Sequence, residues 1–329
     1  MNTQSEKIQE QIIQASNDFA RVSQEVHKVI VGQDSAISST LIALLCGGHI
    51  LFEGPPGVAK TTLVKSFAQA LGVSFSRIQF TPDLLPADLL GSVIYNPRSN
   101  DFETKKGPIF ANLVLADEIN RSPSKVQAAL LEAMQEHQVT IGSQTHKLEE
   151  PFLVFATQNP VENEGTYDLP EAQVDRFMFK ILVGYPTLEQ EKEILHRFMK
   201  AEPVQASTVM NKSALLAYQK LVYDVHVDAK VLHYILDIIF ATRQPEKYGL
   251  AEYGPMIAYG VSPRASLALI HASKASAMLA GRTFITPDDV KSVAPHVLRH
   301  RILLTYHAQA ENITTDMIIA KIFTKVITP

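Results

Sequence analysis

The sequence predicts a chain in two parts: an α/β core built on a parallel sheet, followed by a smaller helical domain. In the first half, short apolar runs without strict alternation are separated by helical stretches, which is typical of parallel sheets covered on both faces. Strand patterns end at Gly184-Tyr185-Pro186, and helical periodicity dominates thereafter. A length of 329 residues allows two domains, which we place at residues 1–185 and 186–329.

Five apolar segments in the first half have the length and composition of sheet strands. They are residues 50–52, 74–80, 112–116, 152–157 and 177–183. Helical spacing precedes them at residues 5–28 and again up to about residue 46, and recurs between them at residues 60–71, 82–90 and 124–135. Two further segments, residues 92–104 and 139–148, carry polar turns between short strand-like runs and predict hairpins.

The second half shows helical periodicity almost throughout. The predicted helices are residues 188–199, 212–223, 228–243, 262–280 and 286–298. Between two of them, residues 249–260 hold three glycines and a proline, which predicts a flexible loop.

Composition and charge narrow the classes of function. The formal net charge is −4 and no long basic cluster occurs, so the sequence gives no sign of a nucleic-acid partner. No apolar run reaches the roughly 18 residues that span a bilayer, and membrane insertion is not expected. The polar N-terminal stretch lacks the apolar core of a secretory signal, which predicts a cytoplasmic protein.

The clearest chemical motif is the segment Gly54-Pro55-Pro56-Gly57-Val58-Ala59-Lys60-Thr61-Thr62, between the first predicted strand and a helix. Glycines let backbone N–H groups turn toward a polyphosphate, and the helix N-terminus adds partial positive charge. Lys60 can reach the β- and γ-phosphates, and the Thr61 hydroxyl can bind Mg²⁺. Ala59 occupies the position where glycine is usual, which we expect to cost little at a helix start. An ordinary glycine turn is the alternative.

Nucleotide hydrolysis also needs a metal-holding acid and a group that activates water. Asp117 and Glu118 end the third predicted strand, where Asp117 would hold Mg²⁺ and Glu118 would polarise the attacking water. Asn159 ends the next strand, where its amide could orient that water. Two surface acids and an Asn-Pro turn are the structural alternatives.

Two arginines are candidates for contact with phosphate. Arg176 precedes the last predicted strand, where it either pairs with Asp175 or acts as an arginine finger that stabilises charge on the transferred phosphoryl group. Arg264 lies in the first turn of a helix that Ser262 and Pro263 begin. A cation there opposes the helix dipole, which suggests either a nearby anion such as bound nucleotide or an accident of the surface.

Taken together, these motifs make the chain resemble the AAA+ ATPases, and within them the MoxR family. The resemblance covers nearly the whole chain and rests on five segments in order: GPPGVAKT is similar to the phosphate loop, LADEINRSP to Walker B, ATQNP to sensor 1, LPEAQVDRF to the arginine-finger segment and GVSPRA to sensor 2.

The resemblance implies an ATPase that uses ATP and Mg²⁺, with Thr61 and Asp117 at the metal and Val31, Gly32 and Gln33 near the adenine. It implies ATP between core and helical lid, with Arg264 reaching the phosphates. It also implies a ring, expected to be a hexamer, in which Arg176 acts in trans on the neighbour's nucleotide. Arg121, after the Walker B acids, would face a subunit interface.

MoxR-like proteins are regarded as chaperone-like ATPases that mature or activate client proteins, often beside a separate protein with a von Willebrand factor A domain. The two hairpins would face the ring's pore or a partner. A nucleotide-gated binding switch without remodelling activity remains open, and a nucleic-acid motor is a third class that the charge disfavours.

Overall fold

A computed structural model describes residues 2–160, 167, 169–199 and 204–329 of the chain. Its central feature is a sheet of five parallel strands, as the sequence predicts. Numbered in chain order with the hairpin strands given below, these strands are β1 (Ile50–Glu53), β2 (Phe75–Gln79), β5 (Leu113–Asp117), β8 (Leu153–Gln158) and β9 (Phe179–Leu182). Their order across the sheet is β2-β5-β8-β1-β9, so β1 lies between β8 and β9.

Helices cover this sheet, and most begin and end where the sequence predicts. In the first half they are α1 (Asn2–Val29), α2 (Asp34–Cys46), α3 (Lys60–Ala70), α4 (Pro86–Leu90), α5 (Ser124–Glu136) and α6 (Glu171–Val174). Helix α4 is shorter than the predicted 82–90. Pro86 forces the residue before it out of the helical region, and Leu85 is extended at φ −108° and ψ 153°.

Both predicted hairpins are present. Their strands are β3 (Gly91–Asn96) with β4 (Asp101–Lys106), and β6 (Gln138–Ile141) with β7 (Gln144–Lys147). The first hairpin exposes aromatic side chains: Tyr95 and Phe102 pack edge to face with ring centroids 5.5 Å apart, and Phe102 is 69% exposed.

The second half is helical, as predicted, with additions. Its helices are α7 (Leu188–Phe198), α8 (Lys212–Leu221), α9 (Ala229–Arg243), α10 (Pro263–Leu279), α11 (Pro287–Leu298), α12 (Tyr306–Ala310) and α13 (Thr315–Lys325). Helices α12 and α13 were not expected. The predicted flexible loop at 249–260 instead contains a 3₁₀ segment, Ala251–Met256, and strand β10 (Ile257–Tyr259), which pairs with β11 (Leu303–Leu304). No helix among the described residues is long and apolar enough to cross a membrane.

Two hydrophobic clusters cover the two faces of the sheet. Alternate residues of a strand enter different clusters: Ile50 and Phe52 point into one, and Leu51 into the other. The larger cluster also takes side chains from α1 to α3 and from the helices of the second half, among them Phe19 and Leu269. The second half therefore packs on the N-terminal helices and shares their core. The domain boundary at 185/186 stays a prediction.

Candidate functional site

A cavity of about 480 Å³ opens at the carboxyl edge of the sheet. The phosphate loop after β1, the acids at the end of β5 and Asn159 after β8 meet there because parallel strands bring their carboxyl ends to one edge. The residues that line it are Pro56, Gly57, Ala59, Lys60, Thr61, Thr62, Arg77, Gln79, Asp117, Glu118, Thr157 and Asn159. Nine of these twelve are candidates from the sequence, and Arg77, Gln79 and Thr157 are additions.

The phosphate loop has the backbone of an anion site. Gly57 adopts φ +82°, and helix α3 begins directly after the loop at Lys60. Ala59 precedes the helix at φ +63° and ψ 21°, in the left-handed region. The expectation that alanine costs little here is wrong, because a residue with a Cβ loses about 1–2 kcal/mol in that conformation. The loop holds Ala59 in a shape that glycine would adopt more easily.

Lys60 turns back over its own loop. Its ammonium donates to the carbonyl oxygen of Gly54 at 2.7 Å, and this bond holds the side chain against the loop. Burial lowers the pKa of Lys60, and the nearby carboxylates of Asp117, Glu118 and Glu53 oppose that shift. The Lys60 ammonium is therefore a half-buried cation near three carboxylates, two of which line the cavity.

Asp117 is held from two sides. The Thr157 hydroxyl donates to Oδ1 at 2.6 Å, and the Arg77 guanidinium donates to Oδ2 from Nε at 2.9 Å and from Nη2 at 2.7 Å. Both lone pairs of Oδ2 thus accept from Arg77, whereas Oδ1 keeps a further lone pair for a cation or a metal-bound water. Asp117 is thus oriented before any cation arrives.

Glu118 stands in a strained conformation at φ +56°, immediately after the strand. Its backbone N–H donates to the Thr157 hydroxyl at 2.8 Å, so one hydroxyl links the two acids. Its carboxylate accepts from Gln79 Nε2 at 2.8 Å and lies 3.3 Å from Arg121 Nε. Arg121, for which the family resemblance implies a subunit interface, contacts the acid that would activate water.

The three unforeseen residues left different signals in the sequence. Arg77 and Gln79 are two apart on β2, so both point to the same face at the edge where that strand ends. This alternation is visible in the sequence, but it does not reveal that β2 lies beside β5. Thr157 reads as one more buried strand residue, and only its pairing next to Asp117 gives it a role.

Four predicted nucleotide contacts lie outside this cavity. The Val58 side chain is buried, 7% exposed, in the hydrophobic core. Val31, Gly32 and Gln33 lie between α1 and α2, beside the segment that follows β9: Gln33 Nε2 donates to the Gly184 carbonyl at 3.1 Å. A Cβ built on Gly32 would lie 2.4 Å from Gln190 Nε2, so this stretch is closely packed against α7. The phosphate cavity does not include it.

Arg176 and Arg264 lie together, away from the phosphate cavity. Both line a second, smaller cavity of about 120 Å³ with His49. Arg176 Nη1 donates to the Leu131 carbonyl of α5 at 2.8 Å, and Arg264 Nη1 lies 3.1 Å from Asp175 Oδ2. The second half packs on α1 and α2 and places the start of α10 beside residue 175, so Arg264 does not line the larger cavity. Its contact with the phosphates stays a prediction.

The same small cavity contains a buried histidine. His49 Nδ1 accepts from the Val154 N–H at 3.0 Å, and Nε2 donates to the Met134 carbonyl at 3.1 Å, an arrangement that requires the neutral ring. Burial lowers the pKa of His49 to about 4. His49 thus ties the start of β1 to the end of α5.

The residues of the larger cavity fit a nucleotide with a divalent cation. The helix N-terminus and Lys60 favour an anion, while the Thr61 hydroxyl and the Asp117 carboxylate are oxygen ligands of the kind Mg²⁺ takes. Glu118 and Asn159 line the same space, where they could orient a water molecule.

Comparison with known proteins agrees with this geometry. Residues 49–179 match the family described as ATPase family associated with various cellular activities (AAA), and residues 253–322 match the AAA lid domain. The matches therefore cover the sheet with its phosphate loop and most of the second half.

Several proteins are similar over nearly the full length. Chaperone MoxR1 of Mycobacterium tuberculosis is 49% identical over 93% of this chain and 81% of its own length. The uncharacterized protein YeaC of Bacillus subtilis is 44% identical over 94% of this chain and 95% of its own. A crystal structure of a candidate ATPase from Cytophaga hutchinsonii is 48% identical, with a TM-score of 0.93 over 100% of this chain and 99% of that one. The chain therefore belongs to the MoxR-type AAA+ ATPases.

Proposed function

We propose that this chain is a Mg²⁺-dependent ATP hydrolase that works in a ring and drives the remodelling or maturation of client proteins. The observation that carries the proposal is the meeting of Lys60, Asp117 and Glu118 with the phosphate loop in one cavity, with Asn159 beside them. Bound Mg²⁺ would neutralise charge on the terminal phosphates. Each protein residue then has a distinct task.

Lys60 and the first turn of α3 bind the phosphates, and Thr61 with Asp117 holds the cation, Asp117 directly or through water. Glu118 polarises the attacking water, and Asn159 orients it. Arg77 and Thr157 hold Asp117 in place through the contacts described above. The adenine is expected beside Val31, Gly32 and Gln33, where the linker between α1 and α2 meets residues 184–190.

A ring is supported by where the two arginines lie. Arg176 and Arg264 share one surface cavity and neither lines the phosphate cavity of its own chain, so both are available to a neighbouring subunit. A closed ring repeats one head-to-tail interface, which would bring this donor surface against the next subunit's phosphate cavity. Both arginines are thus proposed to act in trans, and the stoichiometry is expected to be six.

The client would meet the exposed hairpin β3-β4. Tyr95 and Phe102 form an exposed apolar pair at that hairpin, and exposed aromatic patches mark surfaces that bind other proteins. MoxR1 of M. tuberculosis is named a chaperone, which supports client remodelling for this chain. An adaptor protein with a von Willebrand factor A domain stays a prediction from the family resemblance.

Steady-state ATP turnover tests the chemistry. Lys60→Ala should weaken ATP binding, whereas Glu118→Gln should bind ATP with near-parental affinity and hydrolyse it slowly. Lys65→Ala is the matched control, because Lys65 is an exposed lysine on the same helix and does not line the cavity. Unchanged turnover in Glu118→Gln would refute the assignment of that residue. Tight ATP binding without turnover in the parent protein would favour the binding switch.

Mixing variants tests the ring. Arg176→Ala and Lys60→Ala should each be inactive, but mixed rings contain junctions with an intact Arg176 donor and an intact Lys60 acceptor. Partial recovery of ATPase activity is the expected result. Mixed rings that assemble and stay inactive would refute an arginine supplied in trans.

A further inference from the structure

A buried arginine from the second half holds the turn that carries Arg176. Arg301 follows α11, and its side chain is only 2% exposed. Its guanidinium donates to Asp175 Oδ1 from Nε at 2.7 Å, to the Asp175 and Phe177 carbonyls from Nη2 at 3.1 and 2.6 Å, and to the Met178 carbonyl from Nη1 at 3.0 Å. Nη1 also donates to the Val297 carbonyl of α11.

These acceptors surround Arg176 in sequence. Asp175 precedes it and Phe177 and Met178 follow it, on an irregular turn between α6 and β9. The backbone N–H groups of residues 175–178 bond to carbonyls of residues 171, 173, 174 and 49, whereas the carbonyls of residues 175, 177 and 178 accept from Arg301. The planar guanidinium therefore holds backbone on both sides of Arg176. The orientation of the Arg176 side chain therefore depends on Arg301.

The second half also contacts this turn through the start of α10. Arg264 Nη1 and the Ser262 hydroxyl, both at the start of α10, lie 3.1 and 3.3 Å from Asp175 Oδ2. Asp175, the residue before Arg176, is thus bonded both to the start of α10 and to Arg301 at the end of α11. Any movement of α10 and α11 relative to the sheet would be passed to that turn.

We propose that Arg301 is a positioning residue for Arg176, and that through it the second half and the arginine finger move as one unit. This inference rests on the proposed function, in which Arg176 completes a neighbour's site. Burying a guanidinium is costly unless its donors are satisfied. A neutral residue could fill the same space at the end of α11, but it could not hold carbonyls on both sides of Arg176.

The test separates positioning of the donor surface from general stability. Arg301→Gln removes the fork, and Arg299→Gln is the control. Arg299, like Arg301, lies in the turn after α11, and its side chain is only 11% exposed. It bonds Asp316 and the Lys180 carbonyl instead of residues 175–178. Each variant is assayed for turnover, KM for ATP and ring assembly, first alone and then mixed one to one with Lys60→Ala or with Arg176→Ala.

If Arg301 positions Arg176, Arg301→Gln loses about 100-fold in kcat, the effect of a reacting group misplaced by about 1 Å, while KM stays within about twofold. Mixing with Lys60→Ala should restore activity, because the Lys60→Ala subunit still donates a well-placed Arg176. Mixing with Arg176→Ala should restore none, since both subunits then lack a working donor. Arg299→Gln should retain kcat.

Recovery of activity when Arg301→Gln is mixed with Arg176→Ala would overturn the inference. So would a lack of recovery when Arg301→Gln is mixed with Lys60→Ala, provided that the mixture of Arg176→Ala with Lys60→Ala does recover. Failure of that last pair would refute the trans arginine itself, and the inference with it. If Arg301→Gln does not fold, Asp175→Asn replaces it, because it weakens the same contacts from the other side. It must show the same pattern of recovery, and any other pattern refutes the proposal.

Discussion

Thr157 is expected to hold the two acids of the phosphate cavity in place, and Thr157→Val tests this with almost no change of shape. The side chain is 1% exposed, and a methyl group of valine fills the place of the lost hydroxyl. Valine removes the 2.6 Å hydrogen bond to Asp117 Oδ1 and leaves the Glu118 N–H, which donates to that hydroxyl at 2.8 Å, without its acceptor.

The size of the effect follows from these two contacts. A hydrogen bond to a charged group contributes about 1.5–3 kcal/mol and an orphaned buried donor costs about 1–3 kcal/mol, so a loss of about 3 kcal/mol is expected. With an unfolding entropy of roughly 2.1 cal/mol/K per residue, the melting temperature of this chain falls by about 4 °C. Turnover should fall by at least about tenfold, because Glu118 loses the contact that fixes its strained backbone.

Thermal unfolding of the nucleotide-free protein measures the first effect, and steady-state ATP turnover measures the second. Thr40→Val is the matched control: Thr40 is fully buried, but within the described part of the chain its hydroxyl bonds only to the Ala36 carbonyl one turn earlier in α2. Thr157→Ser keeps the hydroxyl and should restore turnover. A Thr157→Val protein that melts within about 1 °C of the parent and turns over ATP within twofold of it would refute the reasoning.

Two further predictions concern stability. Ala59→Gly should raise the free energy of unfolding by up to about 1 kcal/mol, because glycine adopts φ +63° without strain. Ala68→Gly, inside helix α3, should lower the free energy of unfolding by about 1 kcal/mol. An equal loss in both variants would contradict the prediction. His49 has a folded pKa of about 4, below the ordinary 6.5, so the unfolded chain binds a proton that the folded chain refuses, and stability is lost as the pH falls from 6.5 toward 4. Urea unfolding at pH 7 and pH 5 gives the free energy of unfolding of the parent and of His49→Gln. Between these pH values the parent should lose roughly 1 kcal/mol more per pH unit than the variant, and equal losses would show that His49 does not titrate this way.

Local patterns in the sequence were sufficient to predict the five strands, both hairpins and the elements that carry the phosphate loop and the acids. Each of these depends on residues close in the chain: apolar runs of strand length, glycines in turns and helix-forming stretches of Ala, Leu, Glu and Lys. The meeting of Lys60, Asp117 and Asn159 in one cavity was also predictable, since parallel strands bring their carboxyl ends together. Helix α13 had a visible signal too, with Ile318, Ile319 and Ile322 on one buried face.

Only the tertiary structure decided how the second half sits on the first. The sequence predicted helices there, but not that they would share a core with α1 and α2, because their apolar faces do not specify a partner. That packing brings Arg264 to Asp175 rather than to the phosphate loop, and it buries Arg301 against the turn of Arg176. Thr157 and Arg77 gained their contacts with Asp117 in the same way, through strand neighbours some 40 residues apart in the chain. Contacts of this kind depend on which elements become neighbours, and a single sequence read locally does not contain that information.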